Sequence, residues 1–303
     1  MAPTQTSQLS NPLAAPGQLA QSGSQLDGVP ADLEDSIRFA GARLTQLAGV
    51  LLRLPQDIIA QAIVTFMRFW VGADGGSLLE YGAKDVSAAC LYMVSKVSAF
   101  PKSPRSVINV YAYLDSFPST FVAPEKFHER SDAESYYVSE GTYHALRTLL
   151  MRTEAHILRV LGFETHVALP YTICINYLQT LGIKLDTGTG KDLARQAFAH
   201  LNTALLSPQL IYVTHQPAQI ATAAIYLSAR QVGVKLPGEE WWEVFDTDRE
   251  ELGFLVVALM SIAGFAQEEK AKWGRRKVPL TLEDVEAELE RRQMLEATES
   301  GPA

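Results

Sequence analysis

The sequence predicts an all-α protein: two tandem five-helix bundles, preceded by a disordered tail and followed by a charged, helical tail. Three observations carry this. Apolar residues recur at helical spacing from about Leu33 onward. Proline, serine and glycine punctuate the chain at helix starts and stops. Two segments that are apolar on nearly every side, Val86 to Val94 and Gln219 to Ala229, each sit inside a set of amphipathic ones. The expected division is 1–32 disordered, 33–165 first bundle, 166–265 second bundle and 266–303 charged tail.

Residues 1 to about 30 are rich in Ser, Gln, Gly, Pro and Ala and poor in aromatics, too little apolar surface to offset chain entropy. Phe39, Leu44, Leu47 and Leu51 then mark a first helix. Pro55 stands where a second begins, and Ile59, Ile63, Phe66 and Trp70 form its apolar face. Gly72 to Gly76 break it. A third helix is expected from about Leu79 to Lys96, its small and apolar centre suited to the middle of a bundle. Ser103-Pro104 reads as an N-cap followed by Pro at the first helical position, opening a helix to about Leu114. A polar loop, Ser116 to about Ser135, leads into a long helix that Gly162 stops.

The pattern then begins again. Helices are expected from Pro170 to Leu181, Lys191 to Leu206, Pro217 to Arg230 and Arg249 to Ile262. Pro237 and Gly238 precede a short helix holding Trp241, Trp242 and Phe245. Ala89 to Lys96 parallels Ala223 to Arg230, which reads either as an internal repeat or as chance likeness between two Ala-rich helices. Beyond Glu268 the chain is charged. Lys270 to Lys277 is a basic cluster, which reads as a nuclear localisation signal, a nucleic-acid contact or a solvated stretch, and Thr281-Leu282-Glu283-Asp284 resembles a capping box.

The 303 residues are 47% hydrophobic and 20% charged, enough for two packed domains. A net charge of −8 speaks against direct nucleic-acid binding. The first residues lack a basic and an apolar signal region, and apolar runs such as Leu255 to Met260 fall far short of a membrane span. No membrane partner is expected. Cys90 and Cys174 both sit in apolar runs, as buried thiols do, and no cofactor or metal is expected. Thr187-Gly188-Thr189-Gly190-Lys191-Asp192 looks at first like a phosphate-binding loop. It fails, because Leu185 stands where a glycine is needed and Asp192 where Ser or Thr is needed. The six histidines are scattered, and no nucleophile elbow or protein-kinase signature is present. No catalytic residue is assigned.

Three strings resemble the cyclin family. Ala88-Ala89-Cys90-Leu91-Tyr92-Met93-Val94-Ser95-Lys96 resembles the cyclin-box helix that ends in an Ala-Ser-Lys-type triplet. Pro104-Arg105-Ser106-Val107-Ile108-Asn109-Val110 is similar to the "R-D-V-I-N-V" of transcription-linked cyclins. Glu154 to Phe163 is similar to "E-x-x-(I/L)-L-x-x-L-x-F". In the second half, Gln219 to Arg230 looks like the matching helix of cyclin-L and cyclin-Q, and Trp241 to Phe245 looks most like cyclin-Q.

The resemblance implies two cyclin boxes and a nuclear (or also cytoplasmic) regulatory subunit. Such a subunit forms a heterodimer with a cyclin-dependent protein kinase and activates it. The alternative it leaves is a cyclin-fold adaptor or basal transcription factor without a kinase. It assigns kinase binding to Lys96 and Glu154, with Met93, Val97 and Phe163 as apolar neighbours. An ordinary role is also open to each. Lys96 suits the negative end of a helix dipole, Glu154 a solvated face or a pair with Arg152 or Arg159, and the apolar three a plain core. Where many cyclins follow the Lys with an acidic pair, Ser98-Ala99 stand here.

Overall fold

A computed structural model describes residues 9–121, 132–236, 238, 240–274 and 276–299. In chain order the helices are α1 (Pro16–Ala20), α2 (Gly23–Leu26), α3 (Ala31–Leu51), α4 (Gln56–Phe69), α5 (Ala83–Val97), α6 (Pro104–Asp115) and α7 (Glu140–Val160). They continue as α8 (Tyr171–Thr180), α9 (Gly188–Ala204), α10 (Ile211–Thr214), α11 (Pro217–Val232), α12 (Arg249–Trp273) and α13 (Leu282–Glu299). Short 3₁₀ turns occupy Ala133–Ser135 and Trp241–Phe245. No strand occurs among the described residues, so the all-α expectation holds.

The chain forms two compact units. One, the amino-terminal bundle, is Pro16–Thr165 with Glu269–Ala303; the other, the carboxy-terminal bundle, is Met1–Ala15 with His166–Glu268. In the amino-terminal bundle α5 packs against α3, α4, α6 and α7. Its small residues permit this: Ala83, Ser87, Ala89, Cys90 and Ser95 are all buried. One polar chain crosses this core, with Ser87 Oγ 2.7 Å from Thr45 Oγ1 of α3 and 2.6 Å from the Tyr111 hydroxyl of α6. These mutual hydrogen bonds satisfy three buried hydroxyls at once. In the carboxy-terminal bundle the Ala-rich α11 is the central helix, packed on α8, α9 and α10.

Local chemistry explains the ends. Ser103 caps α6, accepting from the Ser106 amide at 3.0 Å, with Pro104 at the first position. Ser139 caps α7 likewise, so that helix starts at Glu140 and not near Ser135. Thr187 accepts from the Gly190 amide at 3.1 Å and opens α9 three residues before Lys191. The glycine-rich string is therefore a helix cap. Gly190 is required there because a Cβ would lie 2.0 Å from the Lys184 carbonyl oxygen. The loop expected from Ser116 to Ser135 is described only to Phe121 and from Asp132; its middle, and Pro237, lie outside the described residues.

Four expectations are corrected. From Leu9 on, the amino-terminal segment is tied down and not disordered. The Asn11 side chain donates to the Ala168 carbonyl at 2.9 Å and accepts from the Ala168 amide at 2.8 Å. Ser24 is buried and accepts from the Leu78 amide at 3.1 Å. A polar composition is compatible with order when each polar group finds a fixed partner. Residues 1–8 lie outside the described set.

Second, α10 is an unforeseen short helix, entered through Leu210 in the left-handed region at φ 54°. Third, α12 runs past Ile262 to Trp273, since Phe265 to Lys272 hold good helix formers. At 25 residues it is also long and apolar enough, by length and composition, to cross a membrane. One face, Leu252, Leu255, Ala258, Leu259 and Ile262, is buried, as in a core helix.

Fourth, the charged tail is part of the amino-terminal bundle. Trp273 is buried, and so are Val278, Leu280 and Val285. Arg292 grips Asp32 of α3 through two bonds of 2.9 and 3.0 Å, and Lys272 adds a third at 3.0 Å. Arg276, Arg291 and Arg292 converge on Glu288. Much of the basic cluster is thereby engaged in ion pairs; Arg275 lies outside the described residues.

These contacts make the docking of α13 acid-sensitive. The Arg292 guanidinium, with Lys272 behind it, holds the Asp32 carboxyl down at about 2 against some desolvation. Burial opposes ionisation of Glu288, yet Arg291, Arg276 and Arg292 bring it to about 2. Both folded values lie below the ordinary carboxylate range. Their contribution is therefore present above pH ~4.5 and disappears as pH falls toward ~2. Amide exchange across Leu282–Glu299 is expected to accelerate in that window. Arg292→Met should move the onset to higher pH, and an unmoved onset would contradict the assignment.

Candidate protein-docking site

The last turn of α5 ends at Val97, and Ser98 closes it. The Ser98 hydroxyl donates to the Ser95 carbonyl at 2.8 Å and accepts from the Phe100 amide at 3.0 Å. The Ser98-Ala99 pair thus serves as the helix end. From this turn the Lys96 side chain extends across Tyr92, its ammonium 5.3 Å from the ring centroid.

Packing of α5 on α7 brings Lys96 to Glu154. The ammonium makes a close ion pair with Glu154 Oε1. The two ends differ in exposure: the Lys96 side chain is 39% exposed and the Glu154 side chain 8%. No hydrogen bond of good geometry reaches Oε1 from other described residues, so this cation is its main compensation. Among the described residues Arg152 and Arg159 make no ion pair with Glu154. Two residues on, His156 lies 2.6 Å from the Tyr81 hydroxyl and stacks on its ring at 4.6 Å, tying α7 to the loop before α5.

The apolar candidates separate. Met93 is 4% exposed and belongs to the core. Val97 is 78% exposed and Phe163 70% exposed. Phe163 also has φ 63°, following Gly162 at φ 57°. For a bulky residue that conformation costs on the order of 1–2 kcal/mol. The amide of Phe163 donates to the Leu158 carbonyl at 2.8 Å, which holds the turn. Phe100, 52% exposed just beyond the Ser98 cap, was not among the sequence candidates. Its position between a helix end and Pro101 was the available signal.

No cluster of three or more His, Cys, Asp or Glu suited to a metal occurs among the described residues. Cys90 and Cys174 are free and buried, and burial pushes the Cys174 thiol up to about 12, so neither is a ready nucleophile. The arrangement is a part-exposed ion pair, with the exposed apolar residues Val97 and Phe100 following Lys96 along the chain.

No family model matches the chain. Among curated proteins, mouse cyclin-L2 is 30% identical over 287 residues, covering 94% of this chain and 49% of the relative. Cyclin-L1-1 of Arabidopsis thaliana is 32% identical over 236 residues, 78% of this chain and 52% of that one. Over most of its length the chain is similar to these cyclin-L proteins. The chain spans about half the length of the curated relatives it matches. Its fold also matches a chain of the yeast RNA Pol II CTD kinase CTDK-1 complex, with a TM-score of 0.64 at 13% identity, over 97% of this chain and 84% of that one. A chain of the CAK complex from Chaetomium thermophilum bound to ATP-γ-S matches with a TM-score of 0.55 at 16% identity, over 99% and 96%. This fold places Lys96 and Glu154 on the two packed helices α5 and α7.

Proposed function

We propose that this chain is a cyclin, the regulatory subunit of a cyclin-dependent serine/threonine kinase, acting in the nucleus in RNA polymerase II transcription or RNA processing, with no catalysis of its own. The observation that carries the reading is the Lys96–Glu154 pair, whose acid is buried and whose cation is half-exposed. An ammonium has three donors and a carboxylate about four acceptor positions. One ion pair leaves capacity on both, which suits the backbone groups of a partner segment. Val97 and Phe163 supply exposed apolar area on the same bundle. The likeness to cyclin-L relatives and the fold shared with a chain of an RNA polymerase II kinase complex support the transcription-linked setting.

The mechanism follows from the general requirements of a protein kinase. Its αC helix must move inward so that the αC Glu pairs with the β3 Lys that orients the ATP phosphates. A cyclin surface pressed against αC stabilises that inward state. Affinity purification of the tagged chain should recover one cyclin-dependent kinase, more active with the subunit than without. Recovery of no kinase, or of one whose activity is unchanged, would defeat the proposal. Val97→Asp is a sharper probe. The residue is so exposed that thermal stability should stay within about 0.5 kcal/mol, while a desolvated carboxylate in the interface should cut kinase recovery at least tenfold. Equal recovery would remove Val97 from the interface.

A further inference from the structure

The carboxy-terminal bundle already holds one peptide, the arm formed by residues 9–15 of the same chain. The arm belongs to the same compact unit as His166–Glu268, yet Pro16–Thr165 separates the two along the chain. It therefore meets the bundle through non-covalent contacts alone, as a separate peptide would.

Its attachment is polar. Asn11 is 5% exposed, whereas Leu9 and Leu13 on either side are exposed. The apolar side chains face solvent and an asparagine is the buried anchor. Two closed amide pairs hold it. Its side chain donates from Nδ2 to the Ala168 carbonyl at 2.9 Å and accepts at Oδ1 from the Ala168 amide at 2.8 Å. Its backbone amide donates to Gln216 Oε1 at 2.9 Å, and its carbonyl accepts from Gln216 Nε2 at 3.0 Å. Three residues on, the Ala14 amide donates to the Val213 carbonyl at 2.9 Å.

This pattern selects for asparagine. An amide side chain presents a donor and an acceptor side by side. An Asp carboxylate would set a second acceptor against the Ala168 carbonyl, losing one bond and adding repulsion. A Gln side chain is one methylene longer and overreaches a pair whose backbone end Gln216 fixes. Pro12 assists, because the residue before a proline is held extended, with its N–H and C=O turned to the same side. The receiving groups sit on the frame of the bundle. Gln216 is the N-cap residue of α11, its own amide donating to Gln219 Oε1 at 2.7 Å, and Val213 lies in α10. Ala168 is buried, so its N–H and C=O lose these partners whenever the arm leaves.

We propose that this is an asparagine-reading peptide site, occupied in cis by the arm and opened to an extended Asn-Pro segment of a partner protein that displaces it. The arm displays the chemistry of that ligand. Its hydrogen bonds, each weak in net terms, are set against the entropy of ordering its backbone. The arm therefore exchanges on and off while the bundle stays folded. The site uses neither Lys96 nor Glu154 and does not depend on the kinase reading.

The test uses the full chain, isotope-labelled at alanine nitrogen, and the capped peptide Leu-Ser-Asn-Pro-Leu-Ala-Ala. At neutral pH, Asn11→Asp should release the arm. Solvent exchange of the Ala168 amide should rise on the order of tenfold, while Ala223 and Ala224 inside α11 keep their protection. Asn11→Ala should do the same and serves if the Asp variant folds poorly. Added peptide should then shift the Ala168 resonance of the variant. Its affinity there should be roughly tenfold or more above that for the parent, whose tethered arm competes. Peptides with Asp or Gln in place of Asn should bind roughly tenfold more weakly, and so should the original peptide once Gln216→Ala is added. Equal affinity for parent and variant, equal affinity of the three peptides, or no shift by about 5 mM peptide would each overturn the proposal. So would a parent that is dimeric by light scattering and monomeric with Asn11→Asp, since the arm would then be exchanged between two copies.

Discussion

Replacing Lys96 with Ala should weaken kinase binding by about 2–5 kcal/mol, and Glu154→Ala should do the same. That corresponds to a roughly 30- to 5,000-fold rise in Kd. The Lys96 variant leaves the Glu154 carboxyl buried at 8% exposure without its cation. Much of the loss is the penalty for that stranded charge. The two substitutions should therefore be far from additive, and the double Ala variant should bind better than the sum of the single losses predicts. Binding by calorimetry and activation of the copurified kinase measure this directly. If both single variants bind and activate like the parent, the pair is a structural link between α5 and α7 and nothing more.

The second large effect concerns stability. Trp70 ends α4, is fully buried, and meets Phe66 and Phe69 edge-on at centroid distances of 5.8 and 4.8 Å. Trp70→Ala should destabilise the amino-terminal bundle by about 3–5 kcal/mol, from lost transfer energy and the cavity left behind. A fall in Tm on the order of 10 °C should accompany it. The indole N–H is buried without a hydrogen-bond partner among the described residues. Trp70→Phe, which keeps ring contact and removes that orphan donor, should cost far less. Thermal melts of the two variants separate packing from polarity: equal losses would mean that the ring contacts carry little of the effect.

Much of the frame was legible because its causes are local. The Ser103-Pro104 start, the Pro217 start and the stop near Gly162 each depend on residues within one or two turns. The apolar centre of α5 and the Ala-rich α11 declared their central places by having no polar face. Where local logic had to choose among good helix formers, it stopped early, as at Ile262 in α12. Where it relied on composition, it failed, as at Asn11 and Ser24.

The candidate site was legible in part. Lys96 and Glu154 stood out through a family resemblance, and so did the exposed Val97 and Phe163. Met93 was grouped with them by the same strings, but it points into the core. A central helix apolar all round carries no sequence mark that separates its outward face from its inward one.

The sequence by itself determined that this protein is helical, that it folds around two central apolar helices, and that its motifs resemble those of the cyclins. Periodicity, caps and motif order are properties of neighbours along the chain. Only the tertiary structure decided which polar groups meet: Lys96 with Glu154, Arg292 with Asp32 across 260 positions, and the Asn11 amide with the Ala168 backbone across 157. Such pairings depend on how whole helices pack, and packing is set by the summed fit of many buried side chains. No short stretch of sequence contains that sum.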